Sequence, residues 1–160
     1  NCLNPQLCNI ELHRQSRNNH AIPAHQDNFY HCIEPYHGLK ILIPLQEMNN
    51  DSGALTFLDS DVNFPLQAHE SSKIRNFSSY IPKNIFNKLN LGRTCYEYKL
   101  CDASYHFLNS IHFSDGNKTN KDIFFLFFRF QNPKAKVDEL ALSRYSNCLK
   151  KHNEILNNNF

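Results

Sequence analysis

Several features are missing from this sequence, and each absence narrows the class of protein. The 17 basic and 15 acidic residues contain no block of Lys and Arg, so we do not expect a nucleic acid as a partner. The longest apolar run, IFFLFF at 123–128, is far shorter than the roughly 20 residues that span a bilayer, so we expect no membrane partner either. No charged region followed by an apolar one opens the chain. We therefore expect a soluble, cytoplasmic protein.

Tryptophan is also absent, so the core has to be built from Phe, Leu, Ile and Tyr. The chain has 160 residues, of which 41% are hydrophobic and 13 are Phe, and this is enough for one domain with a real core. The six cysteines are dispersed and form no CxxC pair, which favours reduced thiols over a disulfide framework. We expect a single domain over 1–160. Because the sequence opens at Asn1 in what resembles the middle of a domain, we also expect that an N-terminal portion is missing.

Short apolar runs separated by turn residues predict an all-β barrel or sandwich. LKILIPL at 39–45 and ALTFL at 54–58 are predicted strands, and the polar loop between them predicts a hairpin. Further strands are expected at TCYEYKL (94–100), ASYHFL (103–108) and KDIFFLFFRF (121–130). The last run is apolar on both faces, so we expect a central strand that is covered on both sides.

Two segments depart from this pattern. Residues 60–92 are polar and interrupted by prolines, and we interpret them as an insertion or lid within a jelly-roll core of 1–133, with a short helix at 81–89. From 134 to 157 the apolar residues follow the period of a helix. The predicted helical face consists of Val137, Leu140, Ala141, Arg144, Tyr145, Cys148 and Leu149. This C-terminal helix is expected to pack on the outside of the barrel or on a second chain in an oligomer.

The clearest chemical pattern is the stretch PAHQDNFYH at 23–31. On an extended segment, its His25 and Asp27 would project an imidazole and a carboxylate from the same face, because strand side chains alternate. Such a pair arises easily by chance, so a third ligand is required, and His112, about 85 residues further on, is the best candidate. Two His and one carboxylate leave open positions opposite them, as non-haem Fe(II) requires for a cosubstrate and dioxygen. Zinc would usually take a fourth protein ligand or a water.

Three segments in order carry a resemblance to a known family. PAHQDNFYH, DSGALTFLDSDVN and CDASYHFLNSIHFSDGNKT resemble the phytanoyl-CoA dioxygenase family of Fe(II)/2-oxoglutarate oxygenases, whose pattern is H-x-D, a loop of the N-G-A-L type, GD-x-x-x-F-H and H-x-S-x-x-N. The resemblance implies a double-stranded β-helix, which is a cupin-like jelly roll, with His25, Asp27 and His112 as Fe(II) ligands. It further implies decarboxylation of 2-oxoglutarate to succinate with dioxygen, followed by Fe(IV)-oxo hydrogen abstraction that hydroxylates a small organic substrate.

One position breaks the family pattern. The family has an Arg about eleven positions after the distal His, where it pairs with the far carboxylate of 2-oxoglutarate, and Ile123 stands there in this sequence. Arg129 has the same strand parity but lies about 20 Å further along, so we expect it at the other end of the barrel. Lys121 is nearer. We prefer Lys40, fifteen residues after His25, because HGLKILIPL resembles the segment from which JmjC-type oxygenases supply a Lys to the same carboxylate.

Several polar residues near these motifs have simpler alternative roles. Asn109 and Ser114 either hydrogen-bond the cosubstrate or only cap a turn, and Lys40 has an alternative role as an edge-strand charge. The histidines expected to be ordinary polar or core residues are His31, His37 and His106. Two further hypotheses stay open: a catalytically silent, cupin-like metal-binding or sensing domain, and a structural barrel without metal.

Overall fold

The computed structural model describes residues 4–158, and most of their regular structure is β-strand. In chain order the strands are β1 (Gln6–Gln15), β2 (Ile22–His25), β3 (Ile33–Glu34), β4 (Gly38–Pro44), β5 (Thr56–Leu58), β6 (Glu70–Ile74), β7 (Phe77–Tyr80), β8 (Arg93–Cys95), β9 (Ser104–Phe107), β10 (His112–Ser114), β11 (Ile123–Gln131) and β12 (Lys136–Val137). The helices are α1 (Asn28–His31), α2 (Lys83–Phe86) and α3 (Glu139–Asn157). The predicted all-β core with flanking helices is therefore confirmed.

Two four-stranded antiparallel sheets face each other and enclose the main core. Their strand orders are β1-β11-β4-β9 and β2-β10-β5-β8. Along β11 the inward residues are Ile123, Phe125 and Phe127, which are only 5–6% exposed and pack with Leu42 of β4 and Phe57 of β5. Burying each such side chain contributes roughly 1.5–3 kcal/mol. The alternation of strand side chains thus builds the apolar interior.

The loop between β4 and β5 does not connect neighbouring strands. β4 pairs with β9 and β11, whereas β5 pairs with β8 and β10, so the chain crosses from one sheet to the other here. The predicted hairpin over 39–58 is wrong. Turn residues in a loop indicate that the chain changes direction, but they do not indicate which sheet the next strand joins. The strand predicted at 94–100 is also shorter, because only Arg93–Cys95 pairs with β5.

The outer face of β11 differs from the prediction. β11 lies between β1 and β4, as a central strand should. However, its outward residues Phe124, Leu126, Phe128 and Phe130 are only half-buried, and α3 packs on β6, β7 and α1 instead of on this face. The expectation that β11 is covered on both sides is therefore wrong for the described part of the chain. An apolar pattern shows that both faces of a strand can be buried. Whether each face is covered depends on where the other helices and strands pack.

The segment 60–92 contributes to a second, smaller core. Its α2 lies against the second sheet, where Ile81 packs with Leu58 and Ile111. Phe64 and Phe86 are partly buried against the same cluster. Residues in this segment therefore hold part of the fold together.

Helix α3 begins at Glu139, five residues later than the predicted start at 134. The Asp138 carboxylate accepts hydrogen bonds from the backbone N–H of Leu140 and Ala141, at 3.0 and 3.1 Å, and caps the helix. The preceding Lys136–Val137 pairs with β3 as strand β12 and is not helical. The helical period was correct, but the capping residue determines where the helix starts.

The predicted face of α3 is correct in part, because Ala141 is buried and Tyr145, Cys148 and Leu149 are partly buried. Ala141 and His152 are buried, whereas Leu140 is 70% exposed and Val137 lies in β12. His152 donates from Nδ1 to the carbonyl of Ser72 on β6, at 2.6 Å. A polar side chain on an apolar face was not predicted, because its partner comes from a distant segment. The helix packs outside the barrel, as expected.

The cysteines and the helices of the described residues give two further observations. Every cysteine between residues 4 and 158 is a free thiol; Cys2 lies outside the described residues. Within the same range, no helix is long and apolar enough to cross a lipid bilayer.

Candidate metal centre

The two histidines of the predicted triad are brought together by strand pairing. His25 is the last residue of β2, and His112 is the first residue of β10, directly opposite it. Side chains of such antiparallel neighbours emerge on the same face. Their ring centroids lie 4.2 Å apart, and both residues are buried. The Phe77 ring of the β6–β7 hairpin packs 5.0 Å from the His25 ring, so segment 60–92 covers this side of the pair.

Asp27 completes the cluster from a different element. It is the residue before α1 and has helical backbone angles, with φ −61° and ψ −33°. The prediction explained the closeness of Asp27 and His25 by placing both on one extended strand. This explanation is wrong, because β2 ends at His25. Asp27 makes no side-chain cap to α1, and its carboxylate turns into the barrel. One ligand atom from each of His25, Asp27 and His112 lies within 4.8 Å of the others.

The hydrogen bonds of the two histidines leave their Nε2 atoms available. Nδ1 of His25 is 2.9 Å from the carbonyl of Pro23, and Nδ1 of His112 is 3.1 Å from the carbonyl of Ser110. A carbonyl only accepts, so in each ring Nδ1 carries the proton and Nε2 carries the lone pair. Burial also lowers the pKa of both histidines, which keeps the rings neutral. Neutral imidazoles with free Nε2 atoms are the form that binds a metal ion.

Asp27 is held as a carboxylate by two further side chains. Lys40 donates from Nζ to Oδ1 at 2.9 Å, and His106 Nε2 lies 3.0 Å from Oδ2. Burial alone would raise the pKa of Asp27. The Lys40 ammonium, the His106 hydrogen bond and the nearby His112 outweigh burial and hold that pKa well below its usual value. The carboxylate is therefore ionised in a site where its side chain is only 7% exposed.

His106 was not predicted to belong to this site. It lies on β9 directly opposite Lys40, and its ring centroid is 4.7 Å from that of His112. Unlike His25 and His112, its Nδ1 has no hydrogen-bond partner in the described residues. The ring therefore donates through Nε2 to Asp27 and lacks the second hydrogen bond that prepares the other two as ligands. The segment CDASYHF, which resembles GD-x-x-x-F-H with its last two residues in the order H-F, was the available signal.

Gln26, the residue between His25 and Asp27, fixes the surrounding loops. It is fully buried, and its amide donates to the carbonyls of Asn109, at 2.7 Å, and Pro65, at 3.1 Å. The segment before His112 and the segment after β5 are thus both fastened to the H-x-D turn. Because buried polar groups need partners, this residue favours one arrangement of the three segments.

The other predicted binding residues lie in less direct positions. Asn109 donates to the carbonyl of Phe64 at 3.1 Å, and Ser114 donates to the carbonyl of Gly53 at 3.0 Å. Gly53 has φ 88°, a backbone conformation that suits glycine. Through its hydrogen bond to Gly53, Ser114 connects the DSGAL turn to β10, the strand that begins with His112. These bonds connect loops, and a role of Asn109 or Ser114 towards a cosubstrate stays a prediction.

Basic residues are distributed unequally along the barrel. Lys121 borders a cavity of about 880 Å³ that is also lined by Met48, Tyr98 and Ile123 and by no member of the triad. Arg129 instead lies directly opposite Lys40. Arg129 is at the opposite end of β11 from Ile123, as expected. This end of the barrel is the one that holds the triad.

The chain is similar to solved structures of non-haem enzymes. It matches the "non-heme alpha ketoglutarate dependent epimerase SnoN from nogalamycin biosynthesis" at 14% identity and TM-score 0.63, over 82% of this chain and 48% of that one. A match to EvdO2 from Micromonospora carbonacea var. aurantiaca has 20% identity and TM-score 0.62, over 77% and 52%. A third, to the apo form of the non-heme monooxygenase ThoJ, has 13% identity and TM-score 0.65, over 93% and 65%.

The fold is the double-stranded β-helix. No family description and no curated protein matches the sequence. This chain spans about half to two thirds of the length of the three similar structures, with coverage of 48%, 52% and 65%. At these identities the likeness establishes the architecture shared with non-haem iron/2-oxoglutarate enzymes, and the chemistry of this chain depends on its own side chains.

Proposed function

We propose that this chain is an Fe(II)/2-oxoglutarate-dependent dioxygenase of the phytanoyl-CoA dioxygenase type that hydroxylates a small organic substrate. The observation that carries the proposal is the buried cluster of His25, Asp27 and His112, whose ligand atoms lie within 4.8 Å of one another. The shared fold supports it, because SnoN is described as dependent on alpha-ketoglutarate and EvdO2 has been solved in complex with 2-oxoglutarate.

The donor set fits an Fe(II) ion. Two neutral imidazoles with free Nε2 atoms and one ionised carboxylate make up the 2-His-1-carboxylate set used by non-haem Fe(II) oxygenases. His25, Asp27 and His112 would hold the ion, and when bound it would supply the redox reaction with dioxygen that protein side chains lack. Around it, Lys40 and His106 keep Asp27 ionised and oriented. The burial of the cluster limits access of bulk water.

Lys40 is the predicted partner for the far carboxylate of 2-oxoglutarate. It is 8% exposed, and its Nζ donates to Asp27 Oδ1. An ammonium has three N–H donors, so this contact leaves donors free for a second carboxylate. The position of Lys40 beside the triad supports this role better than that of Lys121, which borders the cavity near Ile123.

A metal-binding or sensing domain without turnover is the second candidate. It is favoured by Ile123, which stands where the family has its Arg and is packed in the apolar core with Phe125 and Phe127. In this candidate the triad binds a metal ion, but 2-oxoglutarate has no adequate site.

Titration of the anaerobic protein with Fe(II) and then 2-oxoglutarate separates these candidates. The dioxygenase predicts an absorption band that requires both additions, and succinate formation once dioxygen is admitted. Asp27→Ala should abolish both signals, whereas Asp51→Asn, at an exposed position, should leave them unchanged. Fe(II) binding without either signal would support the sensing domain, and failure to bind Fe(II) or Mn(II) would contradict both candidates.

A further inference from the structure

A cavity of about 890 Å³ lies between segment 60–92 and helix α3. Segment 60–92 lines it with residues between Leu66 and Tyr80, and α3 lines it with residues between Ala141 and Ile155. No member of the triad borders it. Sites for small molecules are typically clefts of about 300–1,000 Å³, so this cavity is large enough to hold a ligand of its own.

Hydrogen bonds fix the two walls of this cavity to each other. Ser71 on β6 donates from its hydroxyl to the backbone carbonyl of Cys148 on α3, at 2.9 Å. One turn further along α3, His152 donates from Nδ1 to the carbonyl of Ser72, at 2.6 Å. The cavity is therefore formed by the fold itself, and a ligand does not have to separate two packed elements to enter it.

Part of the lining is apolar or aromatic. Phe29 of α1 is 9% exposed, and its ring stacks on that of His69 with the centroids 4.2 Å apart. Burial lowers the pKa of His69 to about 4, so at neutral pH this ring is uncharged. Leu66, Ala141 and Ile155 line the cavity as well. This part of the lining suits the apolar body of a ligand.

The charged part of the lining is mainly positive. Arg144 and Lys151 are seven residues apart on α3, which places them on one face about 10 Å apart along the helix axis, and Lys73 lines the cavity from β6. None of the three lies within ion-pair distance of a carboxylate among residues 4–158. Glu70 is the one carboxylate among the described residues of the lining. A cleft with an excess of one charge concentrates ligands of the opposite charge.

We propose that this cavity is a second ligand site, which binds a small organic anion. Arg144 binds the carboxylate or phosphate group through two parallel hydrogen bonds, and Lys151 and Lys73 add positive charge. Phe29 and Leu66 contact the apolar body of the ligand. The inference goes beyond the proposed function and does not depend on it, because the triad takes no part in the site. Carboxylates and phosphates share this chemistry, and the experiment distinguishes them.

Calorimetry on the metal-free full chain, with three probes of similar size, tests the site. Phenyl phosphate and benzoate combine an aromatic ring with an anionic group, whereas benzyl alcohol has the ring without the charge. We expect at least one anion to bind at millimolar concentration or below, with benzyl alcohol at least about tenfold weaker. The tighter of the two anions identifies the ligand as a phosphate or a carboxylate. If neither anion binds, or if benzyl alcohol binds equally well, the inference is wrong.

Variants on α3 locate the bound anion. Arg144→Gln should weaken binding about tenfold, because it removes charge-assisted hydrogen bonds, and Arg144→Lys should recover part of the loss. Lys151→Gln should weaken binding by a smaller factor. Lys150→Gln is the matched control, since Lys150 is exposed on the same helix but does not line the cavity. Equal losses in Lys150→Gln and Arg144→Gln would indicate general attraction to a basic helix, and unchanged binding in Arg144→Gln would place the anion elsewhere; either result overturns the inference.

Discussion

The two ends of the barrel interior are built from the same strands but have opposite chemistry. On β4 and β11, the inward residues at one end are Lys40 and Arg129. Two positions away on each strand, the next inward residues are Leu42 and Phe127, which belong to the apolar core. At the polar end, Lys40 and its partner Asp27 are almost fully buried. At the apolar end, Ile123 is 5% exposed among hydrophobic residues. The alternation of a strand decides which side chains enter the barrel, and position along the strand decides what they meet.

The polar end is the energetically demanding one. Burying charges is unfavourable unless each is paired and hydrogen-bonded, and here the Asp27 carboxylate accepts hydrogen bonds from both Lys40 and His106. Hydrophobic residues of similar size would be expected to give equal or greater stability at these positions. The presence of a buried polar cluster in a barrel that can pack apolar residues therefore favours a functional reason for it.

The largest expected effect comes from breaking the polar end at Asp27. Asp27→Ala leaves the Lys40 ammonium buried without its carboxylate, so we expect the free energy of unfolding to fall by about 3–5 kcal/mol. Metal binding should be lost as well. Urea unfolding and Mn(II) titration measure the two effects, with the exposed Asp51→Asn as the control. A variant that keeps wild-type stability would show that the pair is not buried in solution.

The next effect comes from placing a charge at the apolar end. Ile123→Arg restores the residue type of the family but inserts a cation among Phe125, Phe127 and Leu42, so we expect a destabilisation of about 3 kcal/mol or more. Leu12→Arg, at a site that is 64% exposed, should change stability by less than about 0.5 kcal/mol. A stable Ile123→Arg variant that binds 2-oxoglutarate more tightly would show that the apolar end accepts the cosubstrate, and the comparison between the two ends would fail.

A smaller effect is expected for the residue that orients Asp27. His106→Leu removes the donor to Asp27 Oδ2 but none of the predicted ligands. Residues that hydrogen-bond a metal ligand typically contribute 10- to 100-fold to affinity, so Mn(II) affinity should fall by about that factor. Competition with a chelator measures it, and partial recovery in His106→Gln would identify the hydrogen bond as the cause. His37→Leu should leave the affinity unchanged; an equal loss there would indicate a general effect on folding.

Much of this site was predictable because its ligands carry local patterns. His25 and Asp27 come from one turn, and His112 follows a recognisable strand, so their roles were readable from residue type and order. His106 was missed because its importance depends on a residue 79 positions away in the sequence. Such a partner is fixed only by the packing of the sheets.

The same limit explains the errors in the fold. The hairpin over 39–58 failed because consecutive strands of a jelly roll join opposite sheets, which no local turn pattern encodes. Arg129 was correctly predicted at the opposite end of the barrel from Ile123. Its position relative to the triad was not predicted, because that position follows from the register of β11 with β4. Periodicity predicts faces and elements, whereas register and sheet assignment depend on the whole chain.

The smallest expected effect concerns the acid sensitivity of the polar end. His69 stacks on Phe29 and accepts a hydrogen bond from the backbone N–H of Gln26, and its burial lowers its pKa from 6.5 to about 4. The unfolded chain therefore binds a proton that the folded chain resists, so this contribution to stability is complete above pH 6.5 and is lost as the pH falls towards 4. The full shift corresponds to about 3 kcal/mol, and partial exposure of the ring reduces our expectation to about 1–2 kcal/mol. Between pH 7.5 and 4.5, urea unfolding of His69→Gln should lose less stability than wild type by that amount, whereas the exposed His20→Gln should follow wild type. If His69→Gln and wild type lose stability equally, the ring is hydrated in solution, and the acid sensitivity of this end has to come from other groups.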